Sequence, residues 1–186
     1  TAIITPLIGV CCNSVLMQRY FNMQTNEISN FLVDCYKCIL ITTTITLVMF
    51  YCFSGHISTI SEIPIFWFFI SIIIAVMGMI TSLTTTLFII RKQALNYGLF
   101  QLALISCNLA LTLILVVLYG MSWQGRLLAL SVVSTLMAIV SIGLNVKFGD
   151  LNVRSFSYSR HLGSIFRLGG ALIPSAISGW SILMLD

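Results

Sequence analysis

From Ile63 to Ile90 the chain carries no charged side chain, and Tyr97 to Tyr119 repeats the pattern a few residues later. A helix needs about 20 consecutive apolar residues to cross the roughly 30 Å hydrocarbon layer of a bilayer. Both stretches reach that length. Soluble helices interleave charge with their apolar positions to keep one face wet, and these runs offer no such face. Across the 186 residues 59% are hydrophobic and 8% are charged, where soluble domains carry about 25% charged residues. A water-exposed globular domain, a disordered segment and a coiled coil are all excluded by that balance.

Reading from one charge to the next predicts six spans: Thr1–Met17, Cys38–Phe53, Ile63–Ile90, Tyr97–Tyr119, Leu127–Val146 and Leu168–Leu185. Spanning strands would alternate polar and apolar residues, whereas Ile72–Met77 is apolar at every position. Helices also satisfy their own backbone, which hydrocarbon demands. The connections at 18–37, 91–96 and 147–167 hold Arg19, Lys37, Arg91, Lys92, Lys147, Arg154, Arg160 and Arg167. Those at 54–62 and 120–126 hold only Arg126. Lys and Arg accumulate in cytoplasmic loops, so the first set is expected inside the cell. The net charge of +4 is explained by this topology, and no nucleic-acid partner is expected. The chain opens inside one apolar run and closes inside another, so it is expected to be a piece of a longer membrane protein with at least one helix upstream.

Several classes of chemistry are missing. The Cys35–Cys38 pair lacks a second pair to close a four-ligand zinc site, and the six cysteines read as small apolar residues. His56 and His161 fall on opposite sides of the predicted topology. No nucleophile elbow, phosphate loop or zinc-protease helix is present. No enzyme, catalytic residue, metal or cofactor is therefore expected.

Polar residues inside the runs admit two readings each. Thr42, Thr43, Thr44, Thr46, Thr81, Ser82, Thr84, Thr85 and Thr86 either bond back to their own helices or line an aqueous cavity. Asn13 and Asn108 have more donors and acceptors than one helix satisfies, so they are expected to bridge helices or touch a substrate. Tyr51, Trp67, Tyr97, Tyr119 and Trp123 read as interfacial anchors. Pro174, with Gly169, Gly170 and Gly179 around it, predicts a kink in the last span. Asp186 is either a solvated rim carboxylate or an ion-coupling one.

The order of features is similar to a known family. Tyr97-Gly98-Leu99-Phe100-Gln101 opens the fourth span and Trp123-Gln124-Gly125-Arg126 the fifth. Phe166-Arg167-Leu168-Gly169-Gly170-Ala171-Leu172-Ile173-Pro174 then leads to Ser178-Gly179-Trp180 and Asp186. The chain resembles the bacterial O-antigen and capsular polysaccharide lipid-oligosaccharide flippases, of the superfamily that includes multidrug and toxin extruders. It departs from their pattern at Ala171, where a second proline is usual, and at Ser175, where a histidine is common.

The resemblance implies an all-α, polytopic helical membrane protein, its six transmembrane helices forming about one half of a two-bundle extruder-like (MATE-like) transporter. Residues 1–146 are implied to hold five helices of the N-terminal bundle. Residues 147–167 are implied to be a cytoplasmic inter-bundle linker, and 168–186 the start of the C-terminal bundle. The implied function is translocation of an undecaprenyl-diphosphate-linked oligosaccharide across the cytoplasmic membrane by alternating access, among membrane lipids and with H+ or Na+ as coupling ion. Arg19, Arg91 and Lys92 are then expected to attract the diphosphate at the cytoplasmic mouth. Asn13, Ser175, Ser178 and Trp180 are expected to line the cavity, with Asp186 an ion-coupling candidate. A multidrug extruder, a membrane glycan polymerase or acyltransferase, and a non-transporting helical scaffold are the competing readings.

Overall fold

The computed structural model describes residues 12–20, 25–61, 64–148 and 162–185. Within them the chain forms six helices and no strand: α1 (Cys12–Arg19), α2 (Thr25–Ser61), α3 (Ile65–Ile90), α4 (Ala94–Leu113), α5 (Trp123–Lys147) and α6 (Leu162–Leu185). The end of α4 widens into a π-type turn, Ile114–Leu118. Four segments are long and apolar enough to cross a bilayer: Glu27–Cys52, Phe66–Ile90, Ala94–Leu118 and Trp123–Lys147. Most of the first predicted span lies outside the described residues.

Local chemistry sets the breaks between helices. Pro64 precedes α3 with extended backbone, and its carbonyl accepts the Trp67 amide at 3.0 Å. At the other end of α3 the Gln93 amide bonds the Phe88 carbonyl at 2.9 Å and the Lys92 amide bonds the Ile89 carbonyl at 3.0 Å. This paired closure places Lys92 at φ 57°, in the left-handed region where glycine usually sits. Between α4 and α5 that region is taken by Gly120, at φ 65°, where the missing Cβ removes the clash. Gly125 answers a different need. A Cβ there would lie 2.8 Å from Met121 Cβ and 3.3 Å from Leu115 Cβ, so only glycine lets α5 pass this close to the end of α4.

The limits of α2 and the start of α6 differ from the sequence reading. The expected cytoplasmic loop 18–37 contains the first turns of α2, and the expected outward loop 54–62 contains its last two. In sequence Lys37 closes the 18–37 connection, and the structure sets Asp34 beside it on α2. Spaced three apart on one helical face they pair with each other, so the helix passes through them. Similarly α6 begins at Leu162 rather than Leu168, and carries Arg167 within it.

The helices pack around α3, which touches α1, α2, α4 and α5, while α6 rests on α1 and α2. One apolar core gathers Val15, Leu16, Phe31, Leu32, Leu83 and Ile165 from α1, α2, α3 and α6. A smaller one joins Phe88, Phe100, Val133 and Met137 from α3, α4 and α5, with the Phe88 and Phe100 rings 6.2 Å apart. α4 is outermost. Phe100 is its one buried residue, and Leu95, Leu99, Leu102, Ile105 and Leu109 stand exposed along it. Such a surface is matched to acyl chains rather than water.

Candidate functional site

In a bilayer, burying one leucine against another gains little, because the lipid tails are equally apolar. Polar contacts inside the bundle therefore show where the sequence invests in specific structure. They collect at one end of it. The Trp67–Trp123 pair, centroids 5.1 Å apart, marks the opposite end, with Phe50 against Phe68 at 6.0 Å nearby.

Asn145 of α5 is the node. Its amide nitrogen donates to the Tyr36 hydroxyl of α2 and to Thr84 Oγ1 of α3, both at 3.0 Å. Asn145 and Thr84 are almost completely buried. Thr84 stands six residues before Ile90, so the node lies ~9 Å in from that end of α3 at the helical rise. One turn further in, the Ser141 hydroxyl is buried with no partner among the described residues. Beside Tyr36 on α2, the fully buried Asp34 carboxylate accepts from the Lys37 ammonium at 3.3 Å, and the Lys37 side chain is only 11% exposed. A buried charge survives only when paired and hydrogen-bonded. This pair meets that condition inside a segment apolar enough to span a bilayer.

The α1 side of the same end is also polar. The Asn13 amide donates a hydrogen bond to Ser82 Oγ of α3, and its own Oδ1 is buried without a partner among the described residues. Two turns along α1, an Arg19 guanidinium nitrogen donates to Ser164 Oγ of α6 at 3.3 Å. Arg19 and Asn13 thus lie on one helix, and Arg19 ties α1 to α6.

The other expected site residues are elsewhere. Arg91 and Lys92 follow α3, and Lys92 lines a groove against α4 with Phe88, Ile89, Ala94 and Tyr97. Arg19 bonds α6, so Lys92 and Arg19 occupy different neighbourhoods of the bundle. Pro174 lies within α6, exposed, and Ser178 is exposed one turn beyond. The side chains of Ser175 and Trp180, and all of Asp186, lie outside the described residues. Asn108, on α4, is half-buried, with its Oδ1 unpartnered among the described residues.

Most threonine hydroxyls take the bland option. Thr42, Thr43, Thr44 and Thr46 donate to carbonyls three or four residues back on α2, at 2.6–3.1 Å. On α3, Thr81, Thr85 and Thr86 do the same at 2.8–2.9 Å. Such bonds spend the hydroxyl locally. Cys12, Cys35 and Cys38 are buried in the larger core as thiols and form no disulfide, and no metal-binding cluster of His, Cys, Asp or Glu exists among the described residues.

Sequence reasoning missed Asp34, Tyr36 and Asn145. The signal for Asn145 was present, since the amide argument that selected Asn13 and Asn108 applies equally two residues before Lys147. Asn145→Leu removes both donated bonds and takes the amide donor from the half-buried Tyr36. We expect it to cost about 1–2 kcal/mol, read as unfolding free energy in bicelles, with Tyr36→Phe in the same background recovering part of the loss. No protein-family model, curated protein or solved structure matches the chain.

Proposed function

We propose that this chain is part of an integral membrane transporter that moves an undecaprenyl-diphosphate-linked oligosaccharide between the leaflets of the cytoplasmic membrane. The carrying observation is the concentration of polar and ionic side chains inside one end of an otherwise apolar bundle. Ionisable groups inside apolar helices are expensive, and they are kept where a polar path is needed. Asp34, Lys37, Tyr36, Thr84, Asn145, Asn13 and Arg19 all lie at this end. The cations flanking the spans support placing it at the cytoplasmic face, and the resemblance supplies the cargo.

The physics of that cargo suits the arrangement. A diphosphate and a hydrated glycan both resist entry into hydrocarbon, so the route must offer cations and hydrogen-bonding groups. Arg19 presents a planar guanidinium suited to phosphate oxygens, on the helix that bridges to α6. Its hold on Ser164 is a single hydrogen bond, weak enough to be exchanged for phosphate as the two helices part. Rocking of one bundle against the other then carries the route from one face to the other.

The multidrug reading asks for an acid able to receive a cationic drug. Asp34 is the buried acid among the described residues, and Lys37 at 3.3 Å already supplies its positive charge, which favours the anionic cargo. The test is reconstitution of the full-length protein in liposomes with an undecaprenyl-diphosphate oligosaccharide in the outer leaflet. Its expected result is protein-dependent loss of lectin accessibility over minutes. Extrusion of cationic dyes with no movement of the lipid-linked glycan overturns the reading in favour of a drug extruder.

A further inference from the structure

We propose that the corner where α3 turns into α4 is a binding site for an anionic glycerophospholipid of the surrounding bilayer. The lipid phosphate sits on the Lys92 ammonium and one acyl chain lies in the groove beside it. The proposal rests on these helices crossing a bilayer and not on the identity of the transported cargo.

Three independent observations carry it. The first is shape. A groove of about 280 Å³ is lined by Phe88, Ile89, Lys92, Ala94 and Tyr97. A second of about 290 Å³ shares Phe88 and is lined also by Asn96, Leu99, Phe100 and Phe148. Lys92 and the Tyr97 hydroxyl are the polar side-chain groups on the first wall. Both grooves border the exposed apolar face of α4, where lipid tails are already the natural neighbour.

The second is backbone conformation. Lys92 is the single non-glycine residue at positive φ among the described residues, at 57°. It occupies the position in the α3 closure where glycine is the unstrained choice. A side chain held there against its backbone preference points to a function for the side chain. Among the described residues nothing bonds the Lys92 ammonium, which stands exposed.

The third is charge. From Ile63 to Gly149 the chain has no Asp or Glu, while Arg91, Lys92 and Lys147 all fall at this end of α3 and α5. No acid of these three helices competes with a phosphate there. Basic pockets at the ends of membrane helices retain anionic headgroups in this way.

The test uses the delipidated full-length protein and native mass spectrometry with phosphatidylglycerol and phosphatidylcholine of identical chains. Wild type is expected to hold phosphatidylglycerol at least tenfold more tightly. Lys92→Gln and Lys92→Gly are expected to abolish that preference. Arg126→Gln, at the opposite end of the bundle, is expected to keep it. Lys92→Gly is also expected to leave the thermal midpoint unchanged or raised, because it relieves the backbone; a lysine with a purely structural role would lower it. Ala94→Trp, which fills the groove and keeps the charge, is expected to weaken both lipids severalfold. Equal affinity of the wild type for the two lipids overturns the proposal, as does a preference that survives in Lys92→Gly. A Lys92→Gln variant that loses binding of a polyprenyl diphosphate but not of phosphatidylglycerol also overturns it, assigning Lys92 to the cargo.

Discussion

Arg19→Ala in the full-length protein is expected to cut glycan translocation by about ten- to a hundredfold while the protein still reaches the membrane. A charge-assisted hydrogen bond contributes about 1.5–3 kcal/mol, and each 1.4 kcal/mol is a factor of ten in rate. The measurement is surface glycan in cells lacking the chromosomal copy, normalised to membrane protein. Arg19 also braces α1 to α6 through Ser164, so a loss of function alone is ambiguous. Ser164→Ala separates the two roles, since it removes the brace and leaves the guanidinium in place. If Arg19 meets phosphate, Ser164→Ala keeps export near normal. If Ser164→Ala fails as badly as Arg19→Ala, the arginine is a structural tie and leaves the cargo route.

Asp34→Ala is expected to be the most damaging change to stability, by about 3–5 kcal/mol, the usual cost of removing one partner from a buried ion pair. The Lys37 side chain is 11% exposed, so its ammonium would stay largely buried beside a methyl group. Replacing both residues, Asp34→Ala with Lys37→Met, is expected to restore most of the loss, because an apolar pair needs no counter-charge. Unfolding of the variants in bicelles measures both values. A small effect of Asp34→Ala would mean that the Lys37 stem bends to carry its charge to the headgroups, and the pair would then contribute little to the fold. Both residues lie beside the node of Tyr36, Thr84 and Asn145, so coupling to Asn145→Leu is expected to be non-additive.

Much of the architecture was legible without coordinates. The charge-free runs from Ile63 to Ile90 and from Tyr97 to Tyr119 fixed α3 and α4 because hydrocarbon forces the backbone to bond within its own segment. The Arg19–Ser164 and Asn145–Tyr36 bonds join helix ends that adjoin the cation-bearing connections. The threonine-rich runs were ambiguous in sequence, and the structure resolves them largely into bonds within single helices.

What the sequence could not give was pairing. A charge is an isolated quantity in a hydropathy argument, so Lys37 reads as the border of a loop and its partner Asp34 goes unread. A helix carries them three residues apart on one face, where they neutralise each other, and α2 continues through both. Asn145 looked like one polar residue near a helix end. Only the approach of α2 and α3 to α5 gives it two acceptors and makes it the centre of a site. The groove beside Lys92 is tertiary in the same sense, since it exists because α4 folds back on α3 and leaves its outer face bare. One-dimensional hydrophobicity determines which segments leave water, because that free energy adds residue by residue. Three-dimensional packing alone decides which polar atoms meet, because a hydrogen bond depends on distances between residues far apart in the chain.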